Sequence, residues 1–237
     1  MRTLRWLLLT GVSVAALSAE AQDTWDWGIS PYLWGAGIEG DIALGSLSRP
    51  VNLDFGDLVD VLSGAALVHV EATRNVDGLF ADLVWMSLEP DDATASVGGS
   101  AEATFDTTIV EAGYVRELSN MGLELGVRWW DMELEIDPAA LPGVERSDDW
   151  TDFFVGIRQN TPLGDKWRMT SDFNIGAGGS DFTYGINIVF ARELRSGNSF
   201  VTGVKVLGVD YSNESVNGLQ FTNSTVLTGA TIGYRFD

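Results

Sequence analysis

The chain has 237 residues, a formal charge of -20, a hydrophobic fraction of 45% and no cysteine. That hydrophobic fraction is too high for disorder, the missing thiols exclude disulfides and thiolate metal sites, and the net charge argues against nucleic acid as a partner. Nothing beyond the N-terminal region supplies the roughly 18 consecutive apolar residues of a membrane helix.

Residues 1–21 read as an export signal. Arg2 and Arg5 make a positive n-region, Trp6 to Leu17 an apolar stretch, and Ala19-Glu20-Ala21 an A-x-A cleavage site. A single domain is expected over residues 22–237.

Beyond the signal, apolar residues recur at period two and almost nowhere at the helical period. Strands are predicted at about 25–37, 64–74, 78–88, 103–118, 122–135, 150–161, 166–176, 181–194, 199–211 and 224–236. The first loop leaves the count open. Residues 38–44 and 51–55 either extend the first two strands as a tall hairpin or form an extra hairpin, and eight or twelve strands are alternatives to ten. Residues 57–62 have the pattern of one helical turn that could fold into a lumen.

Four connections are tight and rich in Gly, Asn, Asp, Ser or Pro: Asn75-Val76-Asp77, Ser119-Asn120-Met121, Pro162-Leu163-Gly164-Asp165 and Arg195-Ser196-Gly197-Asn198. They alternate with longer connections at 38–63, 89–102, 136–149 and 212–223, and a short one near Gly178-Gly179-Ser180. Short turns on one side and loops on the other are the layout of a transmembrane barrel. The expected fold is therefore all-β, an antiparallel up-and-down transmembrane β-barrel with both termini on the short-turn side.

Each strand carries one apolar and one polar face. Leu79, Ala81, Leu83 and Trp85 oppose Asp82; Leu123, Leu125, Val127 and Trp129 oppose Glu124 and Arg128. The same parity puts His69 and Glu71, then Glu111, Asp152, Arg158, Arg168, Asp172, Lys205 and Arg235, on the polar faces. An Arg or Lys facing lipid at mid-depth costs about 2–4 kcal/mol, so these charges belong inside. A ten-stranded barrel is narrow, which predicts a lumen largely filled by cross-strand ion pairs. A small pore and a ligand cavity are the alternatives.

Trp25, Trp27, Tyr32, Trp34, Trp129, Trp130, Trp150, Trp167 and Tyr234 fall near predicted strand ends and read as interfacial girdles. In the final strand Ile232, Tyr234 and Phe236 share one face. Tyr234 and Phe236 form the expected insertion signal for barrel-assembly machinery, with periplasmic chaperones on the route and outer-membrane lipid and lipopolysaccharide as surroundings. Asp237 departs from a pattern that ends on the aromatic residue.

His69, the only histidine, lies two residues from Glu71 and could act as a general base held by that carboxylate. No serine nucleophile stands in a local motif beside it, and one histidine makes no multi-histidine metal site. No catalytic residue, metal ligand or cofactor is assigned. The acidic loops, with Asp54, Asp57 and Asp60 at a spacing unlike an EF-hand, are solvated charge that divalent cations could bridge to lipopolysaccharide phosphates. Two rival readings are an outer-membrane enzyme acting on lipid or peptide through His69, and a secreted β-sandwich binder.

Ser30-Pro31-Tyr32-Leu33-Trp34, Gly126-Val127-Arg128-Trp129-Trp130, Asp152 followed by Gly156-Ile157-Arg158, the run from Asp172 to Gly179 with Ser180-Asp181, and Val209-Asp210-Tyr211 span most of residues 22–237. Through them the chain resembles a poorly characterised group of small Gram-negative outer-membrane β-barrel proteins. The resemblance implies a barrel fold, a porin-like setting and an outer-membrane location. It implies no activity.

Overall fold

The computed structural model describes residues 24–237 except 45–46, 90–92, 96–98, 120, 139–143 and 214–220. The expected export signal and its cleavage site lie outside the described residues, as do Asp91 and Asp92 of the acidic loops. The elements are β1 (Asp26–Leu44), β2 (Leu47–Leu53), α1 (Phe55–Val61), β3 (Leu62–Arg74), β4 (Asp77–Leu88), β5 (Ala93–Ala95), β6 (Gly99–Leu118), β7 (Met121–Pro138), β8 (Val144–Pro162), β9 (Trp167–Gly178), β10 (Phe182–Glu193), β11 (Ser199–Ser212) and β12 (Phe221–Arg235).

Ten of these strands form a closed antiparallel ring, each bonded to its neighbours in chain order, with β12 returning to β1. The two others do not join the ring. Strand β2 folds back along the outer half of β1, from Ile38↔Leu53 to Leu44↔Leu47, and β5 pairs only with β6. This decides the open strand count: β1 continues to Leu44 as a tall extension, and its hairpin partner adds no wall strand. A single closed sheet has no second sheet to pack against, which removes the sandwich alternative.

The closing seam shows how one residue shapes a ladder. Ile29 and Phe236 exchange two backbone hydrogen bonds at 2.9 Å, so odd-numbered residues of β1 turn their backbone groups toward β12. Pro31, next in that series, has no N–H. The ladder breaks there and resumes at Tyr32↔Gly233.

On its other side β1 pairs with β3 only from Asp26↔Thr73 to Pro31↔Val68. Farther up the two strands part, and α1 sits at the opening. Asp54 caps the helix by accepting from the Asp57 backbone N–H at 3.0 Å, and the Asp57 carboxylate returns the bond at 3.1 Å, a capping box. Leu58 is buried toward Trp34, Leu67 and Val84, while Asp57 and Asp60 face solvent. A Cβ on residue 35 would stand 3.3 Å from the Phe55 ring, a tight contact that Gly35 avoids.

Every tight turn contains one residue in the left-handed region: Asn75, Ser119, Gly164 and Gly197. This backbone conformation twists a short hairpin the way its strands require.

The faces follow the predicted parity. Leu33, Phe153 and Val155 are 67%, 70% and 62% exposed on the outside, whereas Arg128 and Asp152 are fully buried inside. Apolar outside and charged inside is the inverse of a water-soluble protein, and it suits a wall whose solvent is lipid.

Candidate functional site

The lumen has three zones, stacked from the long-loop end to the short-turn end. The first is apolar. Trp130 and Trp150 stack with centroids 5.6 Å apart, and Trp150 stacks on Tyr211 at 3.9 Å. Val84, Ile109, Met132, Leu207 and Val209 pack around them, with Trp34 and Leu67 at the edge. This corrects the girdle assignment for four residues. Tyr32, Trp34, Trp130 and Trp150 point into the barrel; Trp27 and Trp167 remain on the outer face. Parity held the signal: Trp130 is in phase with Arg128, and Trp150 with Asp152.

The second zone is a belt of charge. Directly opposed residues run Ser30↔His69↔Asp82↔Glu111↔Arg128↔Asp152 across six adjacent strands. Barrel strands tilt by about 35–45°, so a row of opposed residues climbs the wall as it goes round. Here it rises from the short-turn half at Ser30 to the far end of β9, where Asp152 opposes Gly178.

Long side chains connect this row to the far wall. Arg128 donates through Nε to Glu111, through Nη1 to Thr183 Oγ1 at 2.6 Å and through Nη2 to Asn174 Oδ1 at 2.8 Å. The three donors of one planar guanidinium thus hold three strands, β6, β9 and β10. Asp152 accepts from the Ser180 backbone N–H at 2.7 Å and anchors the β9–β10 connection. Arg158 reaches Asp172 at 3.0 Å, Glu124 at 3.2 Å and Glu71 at 3.7 Å. Lys205 donates to Asp82 at 2.7 Å and to Tyr32 Oη at 3.2 Å, and Tyr32 donates to Asp82 at 2.8 Å.

Two phenylalanines separate the cations. Opposed residues in the next row read Phe80↔Gly113↔Gly126↔Phe154. The rings lie over the two glycines, where a Cβ would come within 2.5 Å of each ring. Arg158 sits 4.7 Å over Phe80 and Arg128 5.1 Å over Phe154. Sequence reading missed both rings, although each shares parity with a charged neighbour, Asp82 and Asp152.

The third zone is a cavity of about 240 Å³ at the short-turn end. His69, Glu71, Asp82, Glu111, Glu124, Arg158, Arg168, Asp172, Lys205 and Arg235 all line it. Arg128 and Asp152 lie in the belt above. His69 is not held by Glu71, as its spacing suggested, but by Asp82, whose Oδ2 is 3.2 Å from Nδ1. The reason is register: His69 and Asp82 are directly opposed, whereas Glu71 is drawn away to Arg235 at 2.9 Å. Among the described residues no three of His, Asp and Glu converge as a metal site would require.

At the terminus Tyr234 and Phe236 meet edge to face at 4.9 Å, and Phe236 is exposed on the outer face. Asp237 is tied back, accepting from Arg235 Nε at 2.6 Å.

No family model matches the chain, and no curated protein matches its sequence. Solved structures do. The chain is similar to the outer membrane protease OmpT of Escherichia coli, at a TM-score of 0.50 and 10% identity, over 92% of this chain and 99% of that one. It is also similar to Ail, the attachment invasion locus protein of Yersinia pestis, at a TM-score of 0.41 and 12% identity, over 89% of this chain and 97% of Ail. A major outer membrane protein of Thermus thermophilus matches at a TM-score of 0.38 and 16% identity, over 89% of this chain and all of that one. At such identities the likeness is one of fold. A closed ten-strand antiparallel ring with an apolar exterior and a charged interior defines a class by its fold, the up-and-down transmembrane β-barrels. Within it the chain is a small barrel with a partly filled, charge-lined lumen.

Proposed function

We propose that this barrel does not conduct and that its lumen serves as a ligand cavity open to the periplasm. The observation that supports this is the Trp130–Trp150–Tyr211 stack. It lies within a buried apolar cluster between the cavity and the external end. Ions crossing it would shed their hydration in an apolar constriction, at a cost that closes a pore. The cavity beneath holds polar groups fixed by ion pairs on a rigid wall, the composition of a binding site.

Planar-bilayer recording tests the reading. The folded protein is expected to show no steady conductance, and the double variant Trp130→Ala/Trp150→Ala is expected to conduct. Steady conductance of the unaltered barrel would refute it.

Catalysis is the second reading, and the His69–Asp82 pair favours it, since a carboxylate on Nδ1 orients an imidazole as a general base. Among the described residues no hydroxyl nucleophile hydrogen-bonds to His69. Loss of hydrolysis of a lipid or peptide substrate in His69→Ala would establish it.

A further inference from the structure

We infer that the break in the wall between β1 and β3 is a lateral portal that takes the acyl chain of a membrane lipid. The inference is independent of the periplasmic cavity.

The break is built by register. β1 pairs with β3 up to Pro31 and with β2 from Ile38 onward. Among the described residues, 32–37 of β1 therefore have no strand partner on that side. Across the break the β3–β4 ladder shifts register between Leu62 and Gly64, a bulge of the kind that bends a strand. Unpaired backbone beside lipid is costly, and a helix satisfies its own backbone groups. The capped helix α1 is what the chain places there.

A second cavity, of about 60 Å³, lies beside α1, and its lining comes from both faces of the wall. Phe55 stands on the outer side, over Gly35, and Val59, one turn on, is exposed as well. Trp34, Leu67, Val84 and Met86 line it from the lumen side, as members of the apolar zone. The mouth is thus outside the barrel and the floor inside. Among the described residues no charged or hydroxyl side chain lines it, so a charged head group would enter without a partner.

The surroundings of the mouth name the occupant. Leu33 on β1, and Trp85, directly opposed to Ala66 of β3, are exposed on the outer wall beside it. The mouth is continuous with the lipid-facing surface, and what lies against that surface is lipid tail. An apolar slot opening there receives a chain from the bilayer, not a free acid from water.

The probe is a phosphatidylcholine with a diazirine near the end of one acyl chain, placed in nanodiscs with the folded barrel. After photolysis the adducts are mapped by peptide mass spectrometry. They are expected on Trp34, Leu67 or Met86, on the lumen side, as well as on outer-face residues such as Leu33 and Phe153. Ala65→Trp, which fills the cavity, should abolish the lumen-side adducts and leave the outer-face adducts unchanged. Leu58→Ala, which removes the buried side chain of α1 from the cavity, should increase them. Each variant is checked for the gel shift between heated and unheated samples. Adducts confined to the outer face, or lumen-side adducts unmoved by both substitutions, would overturn the portal. Lumen-side labelling by the same diazirine on a water-soluble fatty acid, with none from the lipid, would overturn the lateral route and assign the cavity to a free acid.

Discussion

Lys205 Nζ lies 2.7 Å from Asp82 Oδ1, although the two residues are 123 positions apart and their strands, β11 and β4, are separated by β12, β1 and β3 around the ring. The bond spans the lumen. It fastens opposite walls of the barrel and forms the ceiling of the cavity, with Tyr32 bonded to both partners.

Removing one partner of this pair strands the other in a buried site. Lys205→Met is expected to lower stability by about 3–5 kcal/mol. Adding Asp82→Leu should recover most of that loss, because the orphaned charge goes with it. The measurement is the urea midpoint in lipid vesicles, read from the gel shift of folded barrel. A double variant as weak as the single would contradict the account.

The paired glycines beneath Phe80 and Phe154 make a second prediction. A Cβ on residue 113 would stand 2.5 Å from the Phe80 ring. Gly113→Ala should therefore destabilise the barrel by about 1–3 kcal/mol, the usual cost of overpacking. Phe80→Leu in the same chain should cost less than the sum of the two single changes, since the clash is shared. Additive losses in a double-mutant cycle would argue that the ring does not lie over residue 113.

Ser119 adopts a φ of 58° in the β6–β7 turn, where a side chain is strained. Ser119→Gly is expected to raise stability by up to about 1 kcal/mol, since a left-handed residue with a Cβ costs roughly 1–2 kcal/mol. Asn75 has nearly the same φ, 56°, in a residue type that tolerates it, so Asn75→Gly should gain less. The two unfolding midpoints, compared side by side, check the order.

The helix α1 closes the parting of β1 and β3 through its capping box and Leu58. Asp54→Ala should cost that helix about 1 kcal/mol. The effect should be local: faster backbone hydrogen exchange over residues 55–61 and an unchanged global midpoint. A fall in the global midpoint would mean that the helix is part of the barrel's cooperative unit.

The chain's own pattern was enough for the ring. Ten amphipathic strands, tight turns alternating with long connections, and mid-strand charges on one parity are local properties, and each survives in the structure because lipid outside and a narrow lumen inside admit only one face assignment. The C-terminal pairing of an outward Phe236 with an inward Arg235 was legible for the same reason. Parity states which way a side chain points; it does not state which strand lies opposite, nor at what height. Those follow from closure and tilt, which join residues far apart in the chain. Only the folded barrel could therefore show that His69 meets Asp82 and not Glu71, that Trp130 and Trp150 stack inside the lumen with Tyr211 instead of standing in a girdle, and that Lys205 reaches across the lumen to Asp82.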